Sequence, residues 1–409
     1  MAVALLVSLQ DDVVREKYPS GRVKLEYRVD AKGAKHGSYA EFYESGQKKL
    51  VTTYFHGDPD GMWDEYAEAG KIVLRKRYAK GVLRELTRLE PDGRPLHQVT
   101  FKDGVVTLGV PGGKAEDAYP RSKRAIREEI PKIEGTPWDP KEPPYEEEYS
   151  IAAPHKAGKL KAEYLADALR HHKAYRWLSE LHTDVALDPA LTECAQHGAV
   201  VMGAVNNLTH TPQQPADMDK AFFDKGYRGT SGSNIAGGRT LRMAVNMFMH
   251  DSDPSNIDRV GHRVWMLNPR MGKTGFGQVS GYIAQWSTDA SSPAPKPDVV
   301  RYPSRGWFPT DYLADGVAWS VTIHADRWQV PKNKGGLKVR MWTLNDEYDI
   351  AGEVKLDYYN LSGRTAIFRP VLEKREGTRV LVQIAGVKQG KDDASILYIT
   401  ELFALDSGK

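Results

Sequence analysis

The sequence predicts a multidomain fold: an antiparallel β repeat sheet, then a mixed helical segment, then an all-β sandwich. Three observations predict it. A 24-residue aromatic-glycine period runs through residues 18–108. Apolar residues at spacings of three and four dominate residues 159–290. Strand alternation between polar turns fills residues 298–409. Two proline-rich stretches, residues 109–158 and Ser291–Pro297, separate these regions.

Composition bounds the function classes. A chain of 409 residues is long enough for several domains, and 40% hydrophobic residues suffice for packed cores. The 57 basic and 54 acidic residues nearly cancel, which argues against a nucleic-acid partner. No stretch approaches the ~20 apolar residues a spanning helix needs. The run Ala2-Val3-Ala4-Leu5-Leu6-Val7-Ser8-Leu9 reads in two ways. It resembles the apolar part of a signal peptide, without a basic lead or a small-residue cleavage site, and it equally suits a first β-strand. Cys194 is the only cysteine, so no internal disulfide forms; the cytosol and the bacterial envelope both fit. It falls in a helical pattern with Leu187, Leu191, Gly198 and Val201 and has no basic neighbour in sequence, so a core thiol is expected.

The repeats come first in the chain. Gly37 recurs as Gly61, Gly46 as Gly70, Tyr54 as Tyr78 and Gly57 as Gly81, all 24 residues apart. Tyr39 matches Trp63, and Leu50 matches Leu74. Looser copies run from Tyr18 to Gly33 and from Asp92 through Phe101 to Gly104. Each unit reads as two strands around a glycine turn, as in Tyr39–Tyr43, Gly46 and Lys49–Tyr54. Such hairpins bury a core only by stacking. The joint recurrence of glycine, aromatic and turn positions resembles MORN-type repeats, also seen in bacterial antitoxin-like repeat proteins. The resemblance implies a binding or spacing sheet without catalysis; a plain structural meander is the blander reading.

Residues 109–158 carry Pro111, Pro120, Pro131, Pro137, Pro140, Pro143, Pro144 and Pro154, and read as a surface-packed linker with one short helix near Lys123–Ile130. Helical spacing then takes over. Leu165, Leu169, His172, Tyr175 and Leu178 share one face. Asp188-Pro189 is a cap followed by a first-turn proline, opening a helix that stops near Asn206-Asn207. Further helices are expected over Thr240–Met249 and Val260–Leu267, with strands at Thr274–Val279 and Tyr282–Ser287.

The chemistry concentrates in this middle region. Leu208-Thr209-His210, Gly232-Ser233-Asn234-Ile235 and Gly261-His262-Arg263 follow one another, and imidazoles suit proton transfer and divalent metals near neutral pH. Together with Tyr175–Leu178, Leu187–Leu191, Ala195–Ala199, Asp251–Asn256, Leu267-Asn268-Pro269 and Gly275-Phe276-Gly277, these blocks resemble the CAP superfamily of cysteine-rich secretory, antigen 5 and pathogenesis-related proteins. The match covers about residues 160–290 and rests on motif order. It implies an α-β-α sandwich with one central cleft.

Family members place two histidines and two acids in that cleft. By motif the histidines are His210 and His262, the first acid position falls at Ser233, and the second falls near Asp251. Losing the first acid weakens both a metal site, which normally takes three or four protein ligands, and a general acid/base pair. Structural roles compete at each position. His210 and His262 can serve as hydrogen-bonding scaffold, Asp251 as a cap for the turn at Ser252-Asp253-Pro254, and Asn234 as a backbone brace. Arg263 reads as an ion-pair or carbonyl clamp, Trp265 and Met266 as core. His171, His172, His182 and His197 read as ordinary helix residues. Gly229-Thr230-Ser231-Gly232-Ser233 lacks the Gly-x-Ser-x-Gly elbow, so a Ser233 nucleophile is disfavoured.

Beyond residue 297, strands are expected at Trp319–Ile323, Leu337–Trp342, Val354–Tyr358, Arg379–Ile384 and Ile396–Thr400, resembling the immunoglobulin-like modules found beside CAP domains. Tyr302-Pro303 and Gly306–Pro309 read as a segment docking on the middle domain.

The leading reading is an exported bacterial protein that binds a small-molecule, lipid or glycan ligand in a cleft lined by His210, His262, Ser233, Asn234 and Asp251. The repeats would offer a surface to protein partners. A metal-dependent hydrolase of peptide, ester or glycan substrates, using Zn²⁺ or another divalent ion at His210 and His262, is the alternative. An interaction protein with a vestigial cleft is the third. A cytoplasmic location stays open.

Overall fold

The computed structural model describes residues 12–102, 105–109, 119–324 and 328–406; the run Ala2–Leu9 and Pro111 lie outside them. The chain is mostly β, with several separate sheets and some helices. It divides into two compact units. One gathers Met1–Pro120, Trp342–Gly352 and Leu397–Ile399; the other gathers Arg121–Met341, Glu353–Ile396 and Thr400–Lys409.

The first unit is built on ten strands: β1 (Asp12–Lys17), β2 (Val23–Val29), β3 (Lys35–Phe42), β4 (Lys48–Phe55), β5 (Asp58–Pro59), β6 (Gly61–Tyr66), β7 (Ile72–Ala79), β8 (Val82–Leu89), β9 (Pro95–Lys102) and β10 (Val105–Gly109). They form one antiparallel meander in chain order, with β5 set off the path beside β4. The recurring glycines explain the turns. Gly46 and Gly70 have φ of 90° and 80°, a region costly for any residue with a side chain. Ring contacts step across one face through Tyr27, Tyr39, Tyr54, Trp63 and Tyr78, with centroids 5.4–6.5 Å apart. At matching phases, Tyr39 Oη donates to Glu41 (2.8 Å) and Trp63 Nε1 to Glu65 (3.0 Å). The segment Trp342–Gly352 closes the unit. Lys76 pairs with Glu347 at 2.7 Å, Arg88 with Asp349 at 3.0 Å, and His97 Nε2 donates to the Tyr348 carbonyl at 3.2 Å.

The second unit carries the helices. α1 (Lys123–Glu134) is capped by Ser122 and runs one turn beyond the expected stretch, through Pro131. β11 (Tyr145–Glu147) pairs with β12 (Lys159–Leu160). Then come α2 (Ala162–Leu178), β13 (Ala186–Leu187), α3 (Pro189–Ala204), α4 (Lys220–Ser231), β14 (Ser233–Gly237), α5 (Leu241–His250), α6 (Gly261–Met266), β15 (Lys273–Thr274), β16 (Phe276–Val279) and β17 (Tyr282–Trp286). Asp188 caps α3 by accepting from Ala190 and Leu191, as its sequence position predicts. β14, β17 and β16 make a three-stranded antiparallel sheet. Ala284 of β17 packs with Ala195 and Met202 of α3, whereas the next residue, Gln285, bonds His172 of α2 at 3.1 Å. Successive strand residues point to opposite faces, so helices cover both sides of this sheet.

Helix α4 is absent from the sequence reading, because Gly226 and Gly229 weaken a helical pattern. Those glycines are there for contact. A Cβ on Gly229 would lie 1.9 Å from the Cys194 carbonyl oxygen of α3, and one on Gly226 would lie 2.4 Å from Val201. Backbone therefore meets backbone at the α3–α4 crossing.

The remaining strands are β18 (Val299–Tyr302), β19 (Gly306–Pro309), β20 (Trp319–Ile323), β21 (Trp328–Gln329), β22 (Lys338–Leu344), β23 (Ile350–Glu353), β24 (Leu356–Ser362), β25 (Thr365–Pro370), β26 (Arg379–Gln389) and β27 (Asp392–Phe403). One sheet runs β18-β20-β25-β24; a second runs β19-β27-β26-β22-β23, with β21 against β26. The expected docking segment is thus two strands, and Tyr302 does dock: the Arg263 guanidinium lies 4.6 Å from its ring. Met266 is fully buried as expected, but Trp265 is 43% exposed and no part of the core, because α6 buries Arg263 and Met266 and turns Trp265 outward.

Candidate functional site

The two motif histidines attach to one short piece of chain, the junction between α4 and β14. Thr230 lies in the last turn of α4, and its carbonyl accepts from His210 Nδ1 at 2.8 Å; its hydroxyl donates back to the His210 carbonyl at 3.2 Å. Four residues on, Asn234 of β14 donates its Nδ2 to the His262 carbonyl at 3.1 Å. Asn234 is therefore a backbone brace. Between them, the Ser233 hydroxyl is buried and has no hydrogen-bond partner among the described residues.

His262 opens α6 and is oriented by Asp251. Asp251 ends α5 in the left-handed region, at φ 41°. That turn aims its carboxylate at the start of α6, where Oδ1 accepts from His262 Nδ1 at 2.7 Å and Oδ2 accepts from the Arg263 amide at 3.3 Å. The imidazole also lies against Phe248, 5.2 Å between ring centroids. In the neutral tautomer that donates from Nδ1, each imidazole presents Nε2 as an acceptor. His210 is exposed and His262 half-buried.

Arg263 is the clamp behind this turn. Fully buried, it donates to the carbonyls of Met249 (2.6 Å), His250 (2.5 Å) and Ala318 (2.7 Å), satisfying the end of α5. A small crevice lined by Arg263, Leu267, Val300, Ser320 and Thr322 includes neither motif histidine.

A second polar cluster was not anticipated. His171 is no ordinary helix residue. Its Nδ1 meets Glu134 at 2.7 Å and its Nε2 meets the Asn246 amide oxygen at 2.6 Å. Tyr312 donates to the same Glu134 oxygen, and Arg242 lies 2.8 Å from the other. Burial pushes the Glu134 carboxyl up, but the His171 bond, then Tyr312 and Arg242, outweigh it and hold it at about 2. His172 is buried as well, and burial drives it down to about 3; its Nε2 donates to the Met266 carbonyl at 2.9 Å. His182 lies beyond α2 and meets the Pro269 carbonyl at 2.9 Å; His197, on α3, is bonded to the Glu193 carbonyl at 2.8 Å. Cys194 is buried, and burial pushes its thiol up.

Metal-ligand geometry falls elsewhere. Among the described residues, the group of three His, Cys, Asp or Glu whose ligand atoms lie within 4.8 Å of one another is Asp30, His36 and His56, in the repeats; His210, His262 and Asp251 do not form such a group. The sequence reading missed this trio because the repeat alignment absorbs its positions.

No family model matches the chain, and no curated protein matches it. Among solved structures, it is similar to an extracellular protein containing an SCP domain from Bacillus anthracis str. Ames, 12% identical over 62% of this chain and 85% of that one, with a TM-score of 0.25. It is also similar to accessory secretory protein 1, 2 and 3 of Streptococcus pneumoniae, 14% identical over 32% of this chain and 26% of that one, TM-score 0.19. A GtfA/B complex bound to UDP and GlcNAc is 11% identical over 32% of this chain and 28% of that one, TM-score 0.12. The chain spans about a quarter of the length of these last two. Likenesses this remote bear on neither fold family nor activity. No helix among the described residues is long and apolar enough to cross a membrane.

Proposed function

We propose that residues 159–290 form a CAP-type α-β-α domain that binds a small-molecule, lipid or glycan ligand at His210 and His262. In this reading residues 1–108 are MORN-like spacing repeats that face a protein partner, residues 109–158 link them on, and residues 298–409 form an Ig-like sandwich. Export to the envelope fits a ligand-binding module of this kind.

One observation carries the reading. Both histidines are fixed at Nδ1 by an acceptor oxygen, His210 by the Thr230 carbonyl and His262 by the Asp251 carboxylate, and both leave Nε2 unbonded among the described residues. The His262 carbonyl is tied to the same α4–β14 junction through Asn234. Two oriented imidazole acceptors suit a hydroxyl- or amide-bearing ligand. The metal-hydrolase reading is weaker. Asp251 spends its carboxylate on His262 and the Arg263 amide, so it orients a histidine and does not supply a third ligand.

Native mass spectrometry of the full chain tests this, after incubation with a bacterial lipid extract or an N-acetylglucosamine tetramer. The expected result is a retained adduct that falls at least tenfold in both His210→Ala and His262→Ala. Equal retention in both variants would remove the site. Turnover of p-nitrophenyl butyrate abolished by His262→Ala would favour the hydrolase, and no adduct with either probe would favour an interaction protein.

A further inference from the structure

We propose that Asp30, His36 and His56 form a divalent transition-metal site of the Zn²⁺ type, shared by neighbouring turns of the repeat sheet. It is independent of the ligand-binding reading above.

Asp30 follows β2, His36 lies on β3, and His56 follows β4, so three separate segments converge. Their ligand atoms all lie within 4.8 Å of one another. The carboxylate is fixed before any metal arrives. Asp30 Oδ1 accepts from the amides of Lys32 (2.9 Å) and Ala34 (3.0 Å), which aims Oδ2 at His56 Nδ1, 2.7 Å away. The His56 bond, more than any other contact, holds this carboxyl at about 2, so it is ionised at neutral pH. The two imidazoles lie 4.7 Å apart between centroids. His56 is exposed, so water and ions reach it.

The repeat itself shows what the turn needs without a metal. One period on, His36 becomes Asp60 and His56 becomes Lys80. Lys80 has the same φ of 50° as His56. Its amide donates to Asp60 Oδ1 at 3.0 Å, where the His56 amide reaches His36 Nδ1 at 3.4 Å. An aspartate and a lysine therefore build this turn adequately. The two imidazoles are surplus to the fold and chemically different from what they replace. Hydrogen bonding holds both rings in place, His56 on Asp30 and His36 on the His56 amide, and brings two ring nitrogens where the next repeat has an aspartate and a lysine.

Two imidazoles and a carboxylate suit Zn²⁺, Co²⁺ or Ni²⁺ and leave positions open to water. Binding displaces the proton between Asp30 and His56, so uptake releases protons and weakens as pH falls. The metal would tie the first two repeats together.

Titration of the chelator-treated full chain with Co²⁺, followed by its visible absorption and by calorimetry with Zn²⁺, tests the site. One equivalent per chain is expected, with a rise in Tm. Binding should weaken at least tenfold in His56→Gln and vanish in the double variant His36→Asp/His56→Lys, which borrows the next repeat's own turn and so keeps the strands intact. His210→Ala and His262→Ala should bind Co²⁺ unchanged, which separates this site from the ligand-binding reading. The proposal fails if the double variant still binds one equivalent, if uptake follows His210 or His262, or if the native chain takes up no Co²⁺ or Zn²⁺ at pH 7.5.

Discussion

Strand to strand, the repeat sheet is held together over much shorter distances along the chain than the helical unit, although Trp342–Gly352 also closes the sheet's own unit from far along the sequence. In the sheet, Tyr18 Oη reaches the Phe42 carbonyl 24 residues on, and Tyr43 Oη reaches that of Tyr66, 23 residues on. In the helical unit, Tyr312 bonds Glu134 across 178 residues, and Arg127 bonds the Leu405 carbonyl across 278. The first kind of contact repeats, so a sequence displays it as a period. The second occurs once and leaves no pattern. The glycines show the same divide. In the sheet they supply turn conformation; at the α3–α4 crossing they supply space.

The largest expected effect breaks or upholds that divide directly. Gly229→Ala pushes a Cβ to 1.9 Å from the Cys194 carbonyl, and neither backbone has a rotamer with which to yield. We expect a loss of about 3 kcal/mol or more, in line with severe overpacking. Gly46→Ala, with nothing within 4 Å, meets only the penalty of its φ of 90°, on the order of 1 kcal/mol. Urea midpoints of the two variants should separate clearly. A larger loss at Gly46 would mean that space is not what the helical unit asks of its glycines.

What could be read from the sequence follows the same logic. The meander, the glycine turns, and the helices with an unbroken three-four spacing were all visible, as was the Asp188-Pro189 cap. Helix α4 was hidden by the very glycines that let it pack. Strands β14 and β25 were missed because short, continuously buried runs lack alternation. At the candidate site, His210, Ser233, Asn234, Asp251 and His262 were drawn together by motif order alone; the bond from Asp251 to His262 lies 11 residues apart and needs the left-handed turn that no local signal announces. His171 looked ordinary because its partners Glu134 and Asn246 are 37 and 75 residues away. His36 and His56 were hidden by the period itself, being treated as variable positions of a repeat.

Acid should expose both units. Burial first of all drives His97 in the sheet unit to about 4 and His172 in the helical unit to about 3. Folded values lie below the unfolded 6.5, so the unfolded chain binds more protons in between. Their stabilisation is fully present above pH 6.5 and is lost as pH falls toward 4 and then 3. His97 contributes on the order of 3 kcal/mol at most, and His172 on the order of 5 kcal/mol at most. Glu134, held at about 2, adds a further loss below the ordinary carboxylate range. Chemical denaturation from pH 7.5 to 4 should show stability falling once pH drops below about 6.5, and His172→Gln should flatten the slope of the helical transition alone. A stability that stays level down to pH 4.5 would contradict the buried neutral assignments.

The smallest effect sharpens the comparison most. Tyr43→Phe removes one hydroxyl whose 2.7 Å bond to the Tyr66 carbonyl links one repeat to the next. A neutral hydrogen bond of this kind is worth about 1 kcal/mol. Tyr18→Phe removes its counterpart to Phe42, at 2.8 Å, one repeat earlier. If the sheet is a chain of nearest-neighbour interfaces, the two losses should be equal in size and should add in the double variant. Amide exchange should then quicken around β3 and β6 for Tyr43→Phe and around β1 to β3 for Tyr18→Phe, with the amides of α2 and α5 unchanged. Local, additive losses would show that short-range contacts are energetically as well as spatially local. A double loss well beyond the sum, or faster exchange in the helices, would mean that the sheet unfolds as one body and that its visible period says nothing about how its stability is divided.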